Sequence, residues 1–545
     1  MLGLVKKNTH IAILVVTLLA AFIFRTIQLA QTPSGFHADE ASFYINAVSL
    51  SQTGMDEDGN KLPLSLASLI DPKPALYSYL QIPFLFIFDN QVFAARFASA
   101  VLSILSLGSL YLLIKEIADK KIALLITIVL SISPWHVIVS RGTQEVITSF
   151  FFLVATFLFL VQYLKNQKKS IVLIPFAISG FLSMYLYHSA KIVLPLLILC
   201  FVIFYFKKTK EYLKKSVTVL LIIATATLFS LFIQESASRI SAVSIFNDQG
   251  PQQKLFEQIY TNRTEVPVSI VRVFYNKVQT YTLAIFHEYT NYFSPEFLFF
   301  SASKPTRNSI TDHGLLYLIE LPLIAIGLYA AIKNKRRDFF LFVALLIISP
   351  IPASLTTQET PSLLRSFPMV ISLAYFVAMG IDALFKINSK LIKALVVSSI
   401  SVIYLWHMCY FALQYHVQTR FTQPWFRNTP YTKIAQEVAL ISDGFERIEV
   451  TNDLRPLYAY FVIENLISIE ELQAHPYARN LSNYNLGKFS FNRDVCDFGD
   501  IKMNVLYIAE IGCREKNSKL SQMEVIKVIS YDDNTQAYEL LQVTQ

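Results

Sequence analysis

The apolar run I-A-I-L-V-V-T-L-L-A-A-F-I-F, from Ile11 to Phe24, begins the pattern that decides the fold of this chain. With its neighbours it makes a stretch of about 20 residues, the length that a helix needs to cross the hydrocarbon core of a bilayer. The chain has 545 residues, of which 54% are hydrophobic and only 16% are charged. Because soluble domains carry about 25% charged residues, this composition predicts a polytopic membrane protein.

Apolar segments of similar length recur along the chain, so we expect about eleven transmembrane helices. A shorter apolar and aromatic segment at 76–88 is typical of an interfacial or re-entrant helix, because it is too short to span a bilayer. The predicted spans are 10–30, 92–114, 121–139, 146–163, 171–188, 191–206, 216–234, 314–332, 338–354, 367–385 and 392–414.

Lysine and arginine residues gather in the segments between alternate predicted spans. Lys6 and Lys7 precede the first span, and the clusters 207–215 and 333–337 fall on the same side of the membrane in this arrangement. Since basic loops stay in the cytoplasm, we expect a multi-pass protein of the cell membrane with a cytoplasmic N-terminus. We interpret the formal net charge of +8 through this topology and not as a nucleic-acid signal, so we predict no nucleic-acid partner.

The same topology places two long loops and the polar C-terminal region outside the cytoplasm. The loops are residues 31–91 and 235–313, and we expect residues 1–415 to form one transmembrane domain. Residues 416–545 alternate strand-like and helix-like stretches and end in a hairpin signal, which predicts a small extracytoplasmic α/β domain. The strand-like runs are 448–452, 504–511, 524–530 and 537–543.

The expected fold class is therefore an all-α polytopic membrane bundle with a small extracytoplasmic α/β domain at its C-terminus. Cys496 and Cys513 lie in that domain and can pair if it is outside the cytoplasm. Cys200 and Cys409 lie in apolar runs.

The first outer loop contains the stretch G-F-H-A-D-E-A-S-F-Y, from Gly35 to Tyr44, directly after the first predicted span. Its adjacent carboxylates, Asp39 and Glu40, can accept a proton from a hydroxyl or bind a cation. The alternative is that they only solvate a loop next to the membrane. A second acidic stretch in the same loop, D-E-D-G-N-K at 56–61, reads as a solvated turn without a role.

Other polar motifs fall at the predicted outer ends of later spans. The segment S-P-W-H-V-I-V-S-R-G-T-Q-E, at 133–145, is expected to place its polar and aromatic residues at the outer membrane surface. Arginine and lysine side chains there suit a phosphate group, although such residues also fix helix ends in the interface. The residues concerned are Trp135, His136, Arg141 and Glu145 in this segment, Tyr185, Tyr187, His188 and Lys191 in Y-L-Y-H-S-A-K, and Arg365 before the tenth span.

Several classes of function are disfavoured by the sequence. No P-loop or glycine-rich dinucleotide motif occurs between a strand and a helix, which argues against a nucleotide-driven pump. No histidine and cysteine cluster has zinc-site spacing. Few charged residues lie within the predicted spans, and this argues against an ion-coupled transporter.

Taken in order, these motifs resemble the GT-C glycosyltransferases, in particular the group of protein O-mannosyltransferases and lipid A aminoarabinose transferases. The resemblance covers roughly residues 10–415 and leaves the C-terminal region uncovered. The K-P-P-L-Y-like segment of that group appears here with Ala75 in place of its second proline. The matching motifs are Asp39-Glu40, K-P-A-L-Y at 73–77, A-A-R-F-A-S-A at 94–100, S-R-G-T-Q-E at 140–145, Y-L-Y-H-S-A-K at 185–191, and Arg365.

The resemblance implies an inverting transfer of a sugar from a polyprenyl-phosphate donor, in a membrane, to a hydroxyl of a glycan, lipid or protein acceptor on the extracytoplasmic face. Asp39 would be the general base, supported by Glu40. The implied phosphate-binding residues are Lys73, Arg141, Lys191 and Arg365, and those that position the substrate are Glu145, Tyr187, His188 and Arg96. No metal or other cofactor is expected. A divalent metal at His37, Asp39 and Glu40 is the minor alternative.

Two other functions remain open at this point. A lipid-linked glycan transporter or flippase would share the spans and the aromatic outer loops, but it would need a polar path through the bundle. A membrane-anchored glycan-binding protein would carry its function in residues 416–545 and would not need Asp39. The donor sugar and the acceptor are not readable from the sequence.

Overall fold

The computed structural model describes residues 2–66, 68, 72–165, 170–205, 209–233, 244–302, 308–451, 456–476, 483–492 and 496–543, with the backbone alone for 2–8. Parts of the predicted loops 31–91 and 235–313, of the basic cluster 207–215 and of the first C-terminal strand lie outside the described residues. The helices are α1 Leu2–Thr26, α2 Ala38–Thr53, α3 Leu76–Leu85, α4 Gln91–Ile117, α5 Lys120–Ile132, α6 Pro134–Arg141, α7 Glu145–Lys165, α8 Leu173–Leu186, α9 Ala190–Phe204, α10 Lys210–Ile233, α11 Gln249–Asn262, α12 Val268–Phe274, α13 Lys277–Asn291, α14 Glu320–Lys333, α15 Phe339–Ile348, α16 Ile351–Ser354, α17 Met369–Phe385, α18 Lys390–Leu413, α19 Thr429–Ile441, α20 Leu457–Ile463, α21 Ile469–Ala474, α22 Cys513–Lys516 and α23 Ser518–Ser521.

Short strands accompany the helices, most of them near the C-terminus. The strands are β1 Ser65–Leu66, β2 Lys73–Pro74, β3 Arg447–Val450, β4 Tyr484–Leu486, β5 Phe489–Phe491, β6 Val505–Glu510, β7 Glu524–Ser530 and β8 Gln536–Gln542. Spatial contacts divide the chain into two units. Unit 1 comprises residues 1–25, 100–140 and 145–411, and unit 2 comprises residues 26–99, 141–144 and 412–545.

Each predicted span overlaps one helix or, at 121–139 and 338–354, two successive helices. Five helices among the described residues are long and apolar enough to cross a membrane, and α5 with α6 makes a sixth if this pair, bent by 60°, is one span. Several of the remaining apolar helices, such as α8, α9 and α17, are shorter. The chain is therefore a multi-pass membrane protein, while the count of eleven spans stays a prediction.

Unit 1 is held together by apolar helix packing, with small residues where helices approach closely. Gly327 of α14 and Gly380 of α17 face the backbone of the opposite helix, and a Cβ at either position would meet a main-chain carbonyl. Such close approach is typical of helix pairs in membranes. Trp135 is fully buried and its indole donates to the carbonyl of Leu363 at 2.9 Å.

Three residues of the motif at 133–145, which the sequence predicts at the outer membrane surface, are buried within the protein. Trp135, His136 and Arg141 are all fully buried. The side chain of Arg25, itself buried, donates to the carbonyls of Leu130 and Ser131 and meets His136 Nδ1 at 3.0 Å. The break between α5 and α6 leaves those carbonyls without helical donors, and Arg25 supplies the missing donors. The position of the motif relative to the membrane stays a prediction.

Unit 2 contains a six-stranded mixed sheet in the order β4-β5-β3-β6-β8-β7. The four strand-like runs of the sequence correspond to β3, β6, β7 and β8, and the predicted hairpin is the antiparallel pair β7–β8. β3 runs parallel to both β5 and β6. The α/β character of the C-terminal region is therefore confirmed, and its boundary at residue 416 stays a prediction.

The apolar core of unit 2 joins the first loop after α1 to the C-terminal sheet. Ala41 and Ile45 of α2 share this core with Ile434 of α19 and Leu506 of β6. All four side chains are fully buried. The two segments are far apart in sequence, so C-terminal residues help to position α2, together with its contacts to α3 and α4.

The acidic residues of the turn at 56–61 are buried although Asn60 and Lys61 are exposed, which corrects the interpretation of this stretch as a solvated turn. Asp56 and Glu57 have no exposed surface. The Glu57 carboxylate accepts hydrogen bonds from Asn46 at 3.1 Å and from the Tyr458 hydroxyl at 2.7 Å. Buried carboxylates need such donors. Through Glu57 the turn therefore connects α2 to α20 within unit 2.

Candidate active site

The acidic pair lies in the first turn of α2, and His37 forms the N-cap of that helix. The Asp39 N–H donates to His37 Nδ1 at 3.1 Å, and the His37 N–H donates to the Glu40 carboxylate at 3.2 Å. This reciprocal arrangement is a capping box, in which histidine takes the place of the usual serine or threonine. The cap fixes the start of the helix and, with it, the directions of the two carboxylates.

Asp39 is the accessible member of the pair. Its side chain is 51% exposed, and one carboxylate oxygen accepts a hydrogen bond from Lys73 Nζ at 2.8 Å. Lys73 is buried and lies over the ring of Phe43. The Asp39 carboxylate is therefore exposed enough to meet a molecule from solvent, with one oxygen bonded to Lys73 and the other 3.4 Å from His37 Nδ1.

Glu40 is the locked member of the pair. Its carboxylate is 9% exposed and accepts two hydrogen bonds from the Arg96 guanidinium, at 2.9 Å and 2.8 Å. The Thr143 N–H adds a third at 2.8 Å. Burial alone raises the pKa of Glu40, but the Arg96 charge and these hydrogen bonds outweigh it and hold the pKa below its ordinary value.

Arg96 also fixes the loop that leads into α2. Its remaining N–H groups donate to the carbonyls of Leu29, Pro33 and Gly35 at 2.6–3.1 Å. The side chain is fully buried. Arg96 thus joins the end of the first span to the acidic pair, and its predicted role in positioning is consistent with an action through Glu40.

Arg141 reaches the same loop from another direction. It is fully buried and donates to the carbonyls of Ile27 and Thr32 at 2.8 Å and 3.0 Å. Its guanidinium lies 5.6 Å from the centre of the Tyr415 ring. These contacts give Arg141 a structural task, and its predicted role in phosphate binding stays a prediction.

Three C-terminal residues that the sequence did not single out hold the acidic loop. The Ala38 N–H donates to the Asn428 side-chain oxygen at 3.1 Å, and the Tyr460 hydroxyl donates to the Phe36 carbonyl. The carbonyl of Arg427 lies against Gly35. No local signal could reveal these contacts, because about 390 residues separate the partners in the case of Asn428.

Gly35 should tolerate no side chain. Its φ is +73°, and a Cβ would lie 2.5 Å from the Arg427 carbonyl oxygen. We expect Gly35→Ala to destabilise the protein by roughly 2–4 kcal/mol, from left-handed strain and overpacking together. Gly54→Ala is the matched control, since Gly54 has a φ of +71° and nothing within 4 Å of its Cβ position. If both purified variants lost the same number of degrees in unfolding temperature, the close packing of Gly35 against Arg427 would be contradicted.

The other predicted site residues lie in unit 1. Lys191, at the start of α9, is buried, with its Nζ 3.4 Å from His188 Nδ1. Arg365 is partly exposed and donates to the Thr356 hydroxyl at 2.8 Å. Glu145 is the first residue of α7, and Tyr187 ends α8.

One cavity of about 280 Å³, measured with its opening to solvent, brings these unit 1 segments together. It is lined by residues adjacent to Glu145, Lys191 and Arg365. Most of the wall is apolar, with hydroxyl groups from serine and tyrosine. The lining residues are Val146, Ser149, Phe150, Leu153, Tyr187, Ser189, Ala190, Val193, Leu364, Phe367 and Pro368.

The trio His37, Asp39 and Glu40 does not fit a metal ion. His37 Nδ1 caps a helix, and the Glu40 carboxylate is occupied by Arg96 and two backbone N–H groups. Among the described residues, no group of three or more His, Cys, Asp and Glu side chains is arranged to hold one. We therefore derive no step through a metal.

The exposed aspartate just after the first span belongs to the acidic motif through which the sequence resembles the GT-C glycosyltransferases. A family model described as dolichyl-phosphate-mannose-protein mannosyltransferase matches residues 72–231. A sequence search of curated proteins finds no match.

Two solved structures are similar over nearly the whole chain. The archaeal oligosaccharyltransferase AglB from Archaeoglobus fulgidus, in complex with an inhibitory peptide and a dolichol-phosphate, has a TM-score of 0.51 and 14% identity, covering 98% of this chain and 74% of its own. ArnT from Cupriavidus metallidurans, bound to undecaprenyl phosphate, has a TM-score of 0.54 and 11% identity, covering 96% and 97%. At these identities the likeness establishes the fold, and the resemblance to GT-C membrane glycosyltransferases is confirmed.

Proposed function

We propose that this protein is an inverting glycosyltransferase that moves a sugar from a polyprenyl-phosphate donor to an acceptor hydroxyl. The observation that carries the proposal is the asymmetry of the acidic pair. Glu40 is buried and fully bonded, whereas Asp39 is half exposed and rigidly oriented by its helix and Lys73. An exposed, oriented carboxylate is suited to accept a proton from an incoming hydroxyl.

In the proposed reaction, the acceptor oxygen attacks the anomeric carbon of the donor sugar. The bond between that carbon and the phosphate oxygen breaks, and its electron pair leaves with the polyprenyl phosphate. The acceptor proton passes to Asp39. Because attack and departure occur on opposite faces of the sugar, the anomeric configuration inverts.

The leaving phosphate is a good leaving group, but its charge needs cations in a low-dielectric site. We assign this role to Lys191 and Arg365, which border the unit 1 cavity through their neighbours. The donor class is supported by the polyprenyl phosphates that accompany AglB and ArnT, the two proteins with the same fold.

Removal of either cation should weaken lipid-phosphate binding. A hydrogen bond to a charged group contributes about 1.5–3 kcal/mol, so Lys191→Ala and Arg365→Ala should each raise the Kd for undecaprenyl phosphate roughly 10- to 100-fold. Lys390→Ala, at an exposed position at the start of α18, is the control. Unchanged binding in both site variants, measured by surface plasmon resonance in detergent, would overturn this assignment.

We further propose a cytoplasmic N-terminus and an extracytoplasmic C-terminal region. The disulfide between Cys496 and Cys513, whose Cα atoms lie 4.9 Å apart, supports this orientation, because disulfides persist in oxidising compartments. The free cysteines are Cys200 and Cys409.

Thiol counting tests this orientation. Protein trapped with maleimide-polyethylene glycol directly from lysed cells, under denaturing conditions, should gain two mass additions, one for each free cysteine. After reduction it should gain four, the number of cysteines in the chain. Four additions without reduction would place the C-terminal region in a reducing compartment.

A further inference from the structure

Residues 244–291, here called the boundary segment, contain three helices with large apolar side chains in solvent. Phe256 of α11 is 70% exposed, Val273 of α12 is 68% exposed and Val278 of α13 is 78% exposed. Leu255 and Val271 are the apolar side chains that this segment buries within α11 and α12. Exposing this apolar area to water raises the free energy of the folded protein, so we expect a partner to cover it.

The exposed side chains are patterned on helix faces. Phe256 and Tyr260 are four residues apart and share one face of α11, while Lys254 points to a different side. Ile270, Val273 and Phe274 in the same way share one face of α12. Helices that lie in a membrane interface typically have one apolar face, aromatic or aliphatic, and charged residues on the opposite face.

Both ends of the boundary segment are tied to one end of an apolar helix. The Ile245 N–H donates to the Leu355 carbonyl at 3.0 Å, just beyond α16. The Tyr289 hydroxyl donates to the Ile347 carbonyl in the last turn of α15 at 2.8 Å. The helix Phe339–Ser354 is one of the shorter apolar helices, and it corresponds to the predicted span 338–354. If that prediction holds, these contacts place the segment at the membrane boundary.

The helix that precedes the segment in sequence, α10, also has exposed apolar side chains. α10 is one of the five helices long and apolar enough to span. Near its end, Phe229 is 58% exposed and Phe232 is 86% exposed, as lipid-facing side chains would be. The boundary segment and α10, both in unit 1, therefore each present large apolar side chains on their surfaces.

We propose that the boundary segment lies on the bilayer and inserts its apolar faces into the boundary between the head groups and the acyl chains of one leaflet. The partner is the lipid surface at the end of α15. The tyrosines of the segment, with an apolar ring and a polar hydroxyl, suit this depth. The inference rests on the membrane-spanning helices and does not depend on the proposed sugar transfer.

Depth-dependent quenching tests the proposal in the full-length protein. Single cysteines would be introduced as Phe256→Cys and Val273→Cys in a Cys200→Ser, Cys409→Ser background that keeps the disulfide. Each would be labelled with an environment-sensitive fluorophore in nanodiscs. We expect at least a twofold stronger quenching by doxyl-labelled lipid than by aqueous iodide at both positions.

Lys254→Cys, on another side of α11, is the matched control and should be quenched mainly by iodide. Strong iodide quenching at Phe256 and Val273 would overturn the proposal by showing that these faces are in water. Protection from both quenchers would also overturn it, because protein and not lipid would then cover the faces.

Discussion

Asp39→Asn should lower the rate of sugar transfer by about 100- to 10,000-fold, the contribution usual for a general base. Asparagine has nearly the same shape and can still accept a hydrogen bond from Lys73, but it cannot take the acceptor proton. We expect the KM for the lipid donor to change little, because the proposed phosphate contacts belong to other residues. The rates would be measured with radiolabelled donor and purified protein in nanodiscs.

Asp89→Asn is the matched control, since Asp89 is an exposed aspartate in the same unit. It should transfer sugar like the wild type. Both variants should show the thermal unfolding temperature of the wild type. A folded Asp39→Asn protein with wild-type turnover would remove Asp39 from the mechanism.

The second large effect concerns the buried pair of Glu40 and Arg96. Arg96→Leu would leave the Glu40 carboxylate buried without its cation, and breaking such a pair costs about 3–5 kcal/mol. Arg96→Lys keeps the charge but cannot form the bidentate hydrogen bonds to Glu40, so it should lose an intermediate amount of stability. Thermal unfolding in detergent measures the loss.

The double variant Glu40→Leu with Arg96→Leu distinguishes the loss of the ion pair from the loss of side-chain packing. If the pair is coupled as the geometry indicates, the double variant should be more stable than Arg96→Leu alone. Additive losses would contradict the coupling. Activity should stay low in the double variant, because the loop that leads to Asp39 loses its contacts to Arg96.

The same pair makes a prediction about acid stability. The pKa of Glu40 is lowered in the folded protein, so the pair contributes its full stability above the unfolded pKa of about 4.3. That contribution is lost as the pH falls through the lower folded value. The stability gap between the wild type and the double leucine variant should therefore narrow below about pH 4.

Much of the fold could be predicted from the sequence because the signals are local. Long apolar runs mark helices in a membrane, and the runs at 524–530 and 537–543 became the hairpin β7–β8 with nearly the predicted bounds. The order of the motifs also indicated the GT-C class. The number of spans stays a prediction, because several helices, such as α9, are shorter than a straight span of a bilayer needs.

The residues of the candidate site could be predicted from the sequence, but the role of each residue could not. The sequence placed Asp39 and Glu40 together, yet only the bidentate contact with Arg96 distinguishes the locked carboxylate from the accessible one. The burial of Glu57 beneath Tyr458, like the support of the acidic loop by Asn428, depends on pairs distant in sequence. Contacts of this kind follow from the tertiary fold and leave no local pattern.

The most direct test of the central claim measures both parts of the donor, the transferred sugar and the released undecaprenyl phosphate. Purified protein in nanodiscs would be supplied with undecaprenyl-phosphate sugars labelled in the sugar, together with host membranes heated to inactivate their enzymes as the source of acceptor. The account predicts transfer of label to acceptor with release of an equal amount of undecaprenyl phosphate, and loss of both in Asp39→Asn. Passage of intact donor across the bilayer without cleavage, or transfer that requires a nucleotide sugar, would contradict it.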